Sequence, residues 1–192
     1  QSEIAESQFE SEKPKKEQSA EYVAFELCGP SEVLVVDAMD WTYSSIGGDI
    51  KFYRLHQRGA AGLVTDGAVR DSAILKEYSL KVFCATTTAK QGPAEMLPWG
   101  VNEVIQCGGV LVRPGDAIVG DDDGVVVIPS DLVEEVTQIA IDREEKEAII
   151  KKELDGNDIS PGKYYPFNEE TEKLVDRAKH EKDYLHFCKN SQ

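Results

Sequence analysis

A guanidinium and a carboxylate stand side by side at Arg70 and Asp71, shortly after an apolar run at residues 62–65. An Arg can bind a small carboxylate through two parallel hydrogen bonds, and an Asp is a hard oxygen ligand suited to Mg²⁺ or Mn²⁺. The pair could therefore hold a small anionic substrate next to a divalent ion. The spacing also fits a plainer interpretation, in which the two form half of a surface ion pair and Asp66 shapes a turn.

Asp49 follows Gly47 and Gly48 and opens a predicted helix. At a helix N-terminus the first amides, here those of Gly48, Asp49 and Ile50, are free to bind an anion. Twenty residues lie between Asp49 and Arg70, which fits one crossover that returns both loops to the same edge of a parallel sheet. An Asp at this position is also a common plain N-cap.

The elements that would position these side chains alternate between strands and helices. Short β-branched runs predict buried strands at residues 33–37, 62–65 and 81–85. Helices are predicted at residues 49–57, ended by Gly59, and at residues 72–78, and residues 66–71 are predicted to form a loop. This order indicates an α/β core with parallel pairing.

The second half of the chain follows a different pattern. Short strands are predicted at residues 104–106, 110–113, 117–120 and 125–128, and Gly, Pro and Asp turns separate them, which is typical of an antiparallel meander. The run Asp121–Gly124 lacks the distal Glu of a calcium loop, so we interpret it as a hairpin turn. Helices are predicted at residues 132–154 and 169–184. The predicted organisation is a polar lead-in (1–20), one α/β domain (21–160) and a C-terminal extension (161–192).

Composition excludes several classes of function. The chain has 36 acidic and 21 basic residues, a formal net charge of −15, which argues against nucleic-acid binding. It has no apolar run of membrane-spanning length and its first residues lack the apolar centre of a secretory signal. The four cysteines lack metal-type spacing and are predicted to be free thiols in a cytoplasmic protein. With three scattered histidines, any metal would need oxygen ligands.

The motif Asp49-X20-Arg70-Asp71 resembles the signature of the RraA-like family, which includes 4-hydroxy-4-methyl-2-oxoglutarate aldolases and oxaloacetate decarboxylases. The surrounding segments GGDI, RGAAGLVTDGAVRD and VNEVIQCGGVLVRPGDAIVGDDDGVVVIP are similar to that family as well. The resemblance covers about residues 20–175. It implies a layered β/β/α domain, with a parallel βαβ part, an antiparallel meander and C-terminal helices.

For the site, the resemblance implies a class II, metal-dependent pyruvate aldolase. Asp71 would bind Mg²⁺ or Mn²⁺, partly through water, and Arg70 would hold the substrate and offset charge on the developing enolate. The amides of Gly48, Asp49 and Ile50 would bind the carboxylate of a small 2-oxo acid. Asp49 would orient a water molecule at the metal that takes or delivers the proton. A divalent ion suits this chemistry because it stabilises an enolate as a Lewis acid.

Two other functions stay open at this point. The family's namesake inhibits ribonuclease E by protein contact, and an acidic surface could cover a basic RNA-binding region. Dehydration of sugar-derived 2-oxo acids would use the same enolate chemistry. The resemblance also implies a homotrimer or a hexamer built as a dimer of trimers.

Overall fold

The computed structural model describes residues 16–78 and 80–190 of the chain, which divide into two compact units after Ser130. The predicted lead-in falls mostly on residues 1–15, outside the described residues, and the predicted domain boundaries stay a prediction. The first unit contains α1 (Ala20–Leu27), β1 (Val33–Val36), α2 (Asp49–Arg58), β2 (Gly62–Val69), α3 (Ser72–Leu75), β3 (Lys81–Thr87), β4 (Ile105–Cys107), β5 (Val110–Val112), β6 (Ala117–Asp121) and β7 (Gly124–Ile128). The second contains α4 (Val133–Gly156) and α5 (Glu169–Asn190).

The first three strands form a parallel sheet in the order β1-β2-β3, and the predicted mixed α/β fold class is confirmed. Strand β2 is central and buried at all its positions, whereas the edge strand β1 is only half-buried. The prediction of a loop beginning at Asp66 is wrong, because β2 continues to Val69. Asp66 and Gly67 are residue types that usually form turns, and the structure shows why this segment remains extended.

Residues 45–47, between β1 and α2, pair with this extension of β2. Ser45 bridges to Ala68 in parallel register, and the Ile46 N–H donates to the Ala68 carbonyl at 2.9 Å. Further along, the Arg70 N–H donates to the Gly47 carbonyl at 3.1 Å. The backbone groups of the extension thus find partners after β1 itself has ended, as buried strand backbone requires.

The carboxylate of Asp66 is buried and is satisfied by donors from distant parts of the chain. It accepts hydrogen bonds from the Ala38 N–H at 2.7 Å and from the Gln106 side-chain amide at 3.0 Å. The N–H groups of Asp40 and Gly108 lie at 3.3 and 3.4 Å. Burial of a carboxylate is tolerated when several donors replace its water. Asp66 therefore ties the loop after β1 to the β4–β5 turn.

Helix α2 contributes two fully buried side chains to the core of the first unit. Phe52 and Leu55 are fully buried on it, in a cluster with Phe25 of α1 and Leu63 of β2. The helix ends as predicted at Gly59, whose φ of 74° is a left-handed conformation that glycine adopts without strain. The apolar face of α2 thus fixes its direction, and with it the position of its first residue.

Other elements of the first unit differ from the prediction in length or in pairing. The predicted helix over 72–78 is a single turn, α3. The antiparallel region consists of two separate pairs, β4–β5 and β6–β7. In the second pair, Asp121 accepts hydrogen bonds from the N–H groups of Asp123 and Gly124, so this acidic run is a hairpin turn as predicted.

The second unit consists of two long helices and the connection between them. Ile150 of α4, Tyr164 of the connection and Leu174 of α5 form its buried centre. Lys146 pairs with Glu172 at 2.6 Å across the two helices. Among the described residues, neither long helix nor any other is apolar enough over its length to cross a membrane.

Replacing Asp66 by Ala should destabilise the protein by about 2–4 kcal/mol, because the buried Ala38 N–H and its neighbours would lose their acceptor. Urea unfolding measures the change. Asp122→Ala, in the exposed turn between β6 and β7, is the control and should change the free energy of unfolding by less than about 0.5 kcal/mol. Equal effects of the two substitutions would contradict the structural role of Asp66.

Candidate active site

The first residue of α2 lies against the residues that follow β2. The Asp49 N–H donates to Oδ2 of Asp71 at 3.0 Å, and Nε of Arg70 lies 3.4 Å from the same oxygen. The pairing of residues 45–47 with the end of β2 makes this contact possible, because it carries Gly48 directly past Arg70. The structure therefore brings the three predicted residues together, through the backbone of Asp49 and the side chains of Arg70 and Asp71, while their chemical roles stay predictions.

Gly48 permits this approach because it has no side chain. A Cβ atom at this position would lie 2.3 Å from Oδ2 of Asp71 and 2.6 Å from Cγ and Nε of Arg70. Its φ of −149° is ordinary extended backbone, so the requirement for glycine is steric and not conformational. Any other residue at position 48 would therefore push the start of α2 away from Arg70 and Asp71.

Asp71 points back towards α2 because its own backbone is left-handed, with φ 59° and ψ 31°. Asp tolerates this conformation better than most residues. The side chains of Arg70 and Asp71 are 34% and 43% exposed, so each can reach a small molecule. Neither the other carboxylate oxygen of Asp71 nor the guanidinium of Arg70 forms a hydrogen bond within the described part of the chain, so both have bonding capacity left for a ligand.

The predicted anion site at the start of α2 is partly filled by the protein itself. The N–H of Asp49 is bonded to Asp71, which places a negative charge at the positive end of the helix. The prediction of three free amides is therefore wrong for Asp49. The side chain of Ile50 is 80% exposed, which leaves that end of the helix accessible.

Tyr78 is a residue of this site that the sequence did not reveal. Its hydroxyl donates a hydrogen bond to Oδ1 of Asp49. This bond to a carboxylate, together with burial, raises the pKa of Tyr78 to about 12. The sequence gives no signal for the contact, because Tyr78 lies 29 residues from Asp49, in a turn with no characteristic pattern.

The carboxylates of this site fit a hydrated divalent ion better than an ion enclosed by protein ligands. Among residues 16–78 and 80–190, no group of three or more His, Cys, Asp or Glu side chains could jointly hold an ion. Mg²⁺ is commonly bound through one or two carboxylates while it keeps several waters. The open oxygen of Asp71 fits such a hydrated ion, and the site does not fit an ion enclosed by several protein ligands.

Three cysteines in the described part of the chain, Cys28, Cys84 and Cys107, are free thiols, as predicted, with Cys28 buried and the other two half-buried. Burial raises the pKa of each thiol, and for Cys107 the nearby Asp66 carboxylate contributes as well, giving a pKa of about 11. A thiol with a raised pKa is a poor nucleophile. The side chain of Cys188 lies outside the description.

Comparison with known proteins gives a consistent result. The family model described as RraA-like, Aldolase/RraA, matches residues 10–127. A candidate 4-hydroxy-4-methyl-2-oxoglutarate aldolase of Halalkalibacterium halodurans is 41% identical over 111 residues, which are 58% of this chain and 52% of the relative. An uncharacterized protein of Methanocaldococcus jannaschii is 38% identical over 103 residues, 53% of this chain and 49% of that protein. The chain spans about half the length of the curated relatives it matches.

Among solved structures, this chain is similar to RraAS2 of Streptomyces coelicolor, described as an unusual member of the RNase ES inhibitor RraA protein family. The TM-score is 0.67 at 32% sequence identity, and the match covers 73% of this chain and 72% of that one. A protein of Pseudomonas syringae pv. tomato matches with a TM-score of 0.65 at 24% identity, over 73% of this chain and 69% of the other. The second likeness concerns the fold alone.

Gly48→Ala should separate α2 from the Arg70–Asp71 pair and lower the free energy of unfolding by about 1–3 kcal/mol, as overpacking of a close contact does. Gly156→Ala at the end of α4 is the control. Its Cβ would meet nothing within 4 Å, and the substitution should change the free energy of unfolding by less than about 0.5 kcal/mol. Urea unfolding of both variants tests the argument, and a Gly48→Ala protein as stable as the parent would contradict it.

Proposed function

The chain belongs to the RraA-like family, and on that basis we propose that it is a metal-dependent lyase that cleaves C–C bonds of small 2-oxo acids. The substrates would be 4-hydroxy-4-methyl-2-oxoglutarate-type acids and oxaloacetate. The observation that carries the proposal is the convergence of these three residues: the Asp49 N–H is bonded to the Asp71 carboxylate, and Nε of Arg70 lies 3.4 Å from the same oxygen. The relation to the candidate aldolase of Halalkalibacterium halodurans supports the same reaction class.

The binding step uses the exposed part of the Arg70 side chain. Its guanidinium offers paired donors that match the carboxylate of a 2-oxo acid or the adjacent keto oxygen. Asp71 keeps this guanidinium in place at 3.4 Å. With a formal net charge of −15, the chain repels anions overall, so capture of the substrate depends on this local cation.

The cleavage step needs a proton acceptor and a group that stabilises the negative charge of the enolate. In the retro-aldol direction, a water molecule oriented by Asp49 takes the proton of the 4-hydroxyl group, and the C3–C4 bond breaks to give a carbonyl product and pyruvate enolate. The same water returns this proton to C3 of the enolate, which leaves as pyruvate. Oxaloacetate would lose CO₂ through the same enolate. Arg70 offsets the charge on the enolate oxygen.

Asp71 is the residue that would hold the divalent ion, with its second oxygen and with waters completing the coordination. When bound, Mg²⁺ or Mn²⁺ supplies Lewis-acid stabilisation of the enolate. A single protein ligand implies weak and exchangeable binding, so activity should depend on added metal. We also propose the trimeric or hexameric assembly implied by the family resemblance, which native mass measurement can test.

Pyruvate release from oxaloacetate should require both protein and Mg²⁺ or Mn²⁺ and should stop on addition of EDTA. Asp71→Ala should lower kcat by about 100-fold or more, because the ion loses its ligand and the enolate its stabilisation. Pyruvate is measured with lactate dehydrogenase and NADH, and the rate with metal alone is subtracted. Asp122→Ala on the exposed turn is the control. Full activity in EDTA, or in Asp71→Ala, would overturn the proposal.

A second candidate function is inhibition of a ribonuclease by direct contact. The fold of RraAS2 at 32% identity and the acidic surface favour it, since negative charge complements an RNA-binding region. Immobilised protein should then retain a ribonuclease of the RNase E type, and binding should weaken with salt yet survive Asp71→Ala. Retention with these properties, without metal-dependent release of pyruvate, would replace the lyase proposal.

A further inference from the structure

Three residues of α2 lie on one face of the helix, because they are spaced four and three residues apart. They are Asp49, Tyr53 and His56. The ring of Tyr78 packs against this face. Its centroid lies 5.5 Å from that of His56 with the rings nearly parallel at 15°, and 5.6 Å from that of Tyr53 at 53°.

The two neighbouring rings fix the direction of the Tyr78 hydroxyl. Aromatic rings at these separations attract each other in offset-stacked and tilted arrangements. Tyr78 is half-buried, and its hydroxyl donates to Oδ1 of Asp49. Among the described residues, Asp49 is its hydrogen-bond partner. A hydroxyl held on a packed ring is a better-defined donor than one on a free side chain.

This bond fixes one side-chain oxygen of Asp49, while the backbone N–H of the same residue is held by Asp71. Without the bond, the terminal torsion of an Asp side chain is broad. With it, Oδ1 is occupied, and Oδ2 makes no hydrogen bond within the described part of the chain. The carboxylate therefore presents a single oxygen in a defined direction.

We propose that Tyr78 is a positioning residue for the Asp49 carboxylate, oriented by the rings of Tyr53 and His56. The inference rests on the proposed function, in which Asp49 orients the water that takes the substrate proton. Such a step depends strongly on geometry, and misplacement by about 1 Å can reduce the rate by about 100-fold. Tyr78 makes no contact with Arg70 or Asp71 among the described hydrogen bonds, so its loss should affect turnover and not substrate binding.

Tyr78→Phe keeps the packed ring and removes the hydroxyl, and it should lower kcat for pyruvate release by about tenfold or more with KM changed less than about twofold. Tyr165→Phe is the matched control. It removes an exposed hydroxyl in the second unit that forms no hydrogen bond with the described residues, and kcat should be unchanged. Thermal unfolding of both variants identifies any loss of fold.

Coupling between the two residues separates positioning from general packing. In an Asp49→Asn background, adding Tyr78→Phe should lower kcat no further, because the oxygen to be positioned has already lost its function. Independent losses that multiply would show that Tyr78 does not act through Asp49 and would overturn the inference.

A readout that does not require turnover comes from tyrosine labelled with ¹³C at Cζ. In the parent protein one of the seven tyrosines, assigned by its absence in Tyr78→Phe, should remain protonated at about pH 11, where an ordinary tyrosine has ionised. In Asp49→Asn it should titrate near the others. A Tyr78 signal that titrates normally in the parent protein overturns the inference.

The outcomes for the two proposals differ. A parent protein without metal-dependent turnover overturns the proposed function and this inference together. An active parent protein whose Tyr78→Phe variant is equally active overturns the inference alone and leaves the lyase proposal intact.

Discussion

The site depends on backbone pairing between residues 45–47 and the extension of β2. The hydrogen bonds from Ile46 to Ala68 and from Arg70 to Gly47 fix two chain segments at strand distance, at a place where β1 has already ended. Only then can the N–H of Asp49 reach the carboxylate of Asp71. Since these bonds are between backbone groups, they constrain the position of the site while leaving the surrounding side chains free to vary.

The glycine at position 48 turns this pairing into a close contact. The carboxylate of Asp71 and the side chain of Arg70 fill the space that a Cβ at this position would take. Asp71 consequently serves two purposes. One oxygen stabilises the positive end of α2, and the other remains available for a cation. Because Oδ2 of Asp71 accepts the Asp49 N–H, its other oxygen can bind a cation while the start of α2 keeps this hydrogen bond.

The sequence allowed the parallel sheet, helix α2 and its end at Gly59 to be predicted, because β-branched runs and a left-handed glycine are local signals. It also identified Asp49, Arg70 and Asp71 as neighbours, since a crossover of fixed length returns to the same sheet edge. The extension of β2 could not be predicted, because Asp66 and Gly67 are typical of turns and their strand conformation depends on distant partners. The contact of Tyr78 with Asp49 was missed for a similar reason, as side-chain packing between separate elements leaves no periodic trace.

The buried carboxylate of Asp66 also restricts which substitutions the sequence can accept during evolution. The Gln106 side-chain amide donates to both Asp37 and Asp66, at 3.0 Å each, so two acidic groups share one neutral donor. A Glu at position 106 would bring three carboxylates together, and an apolar residue would leave two without that donor. Substitutions at positions 37, 66 and 106 should therefore be accepted in combination and rejected singly. A comparison of sequences across relatives would then show the three positions varying as a set.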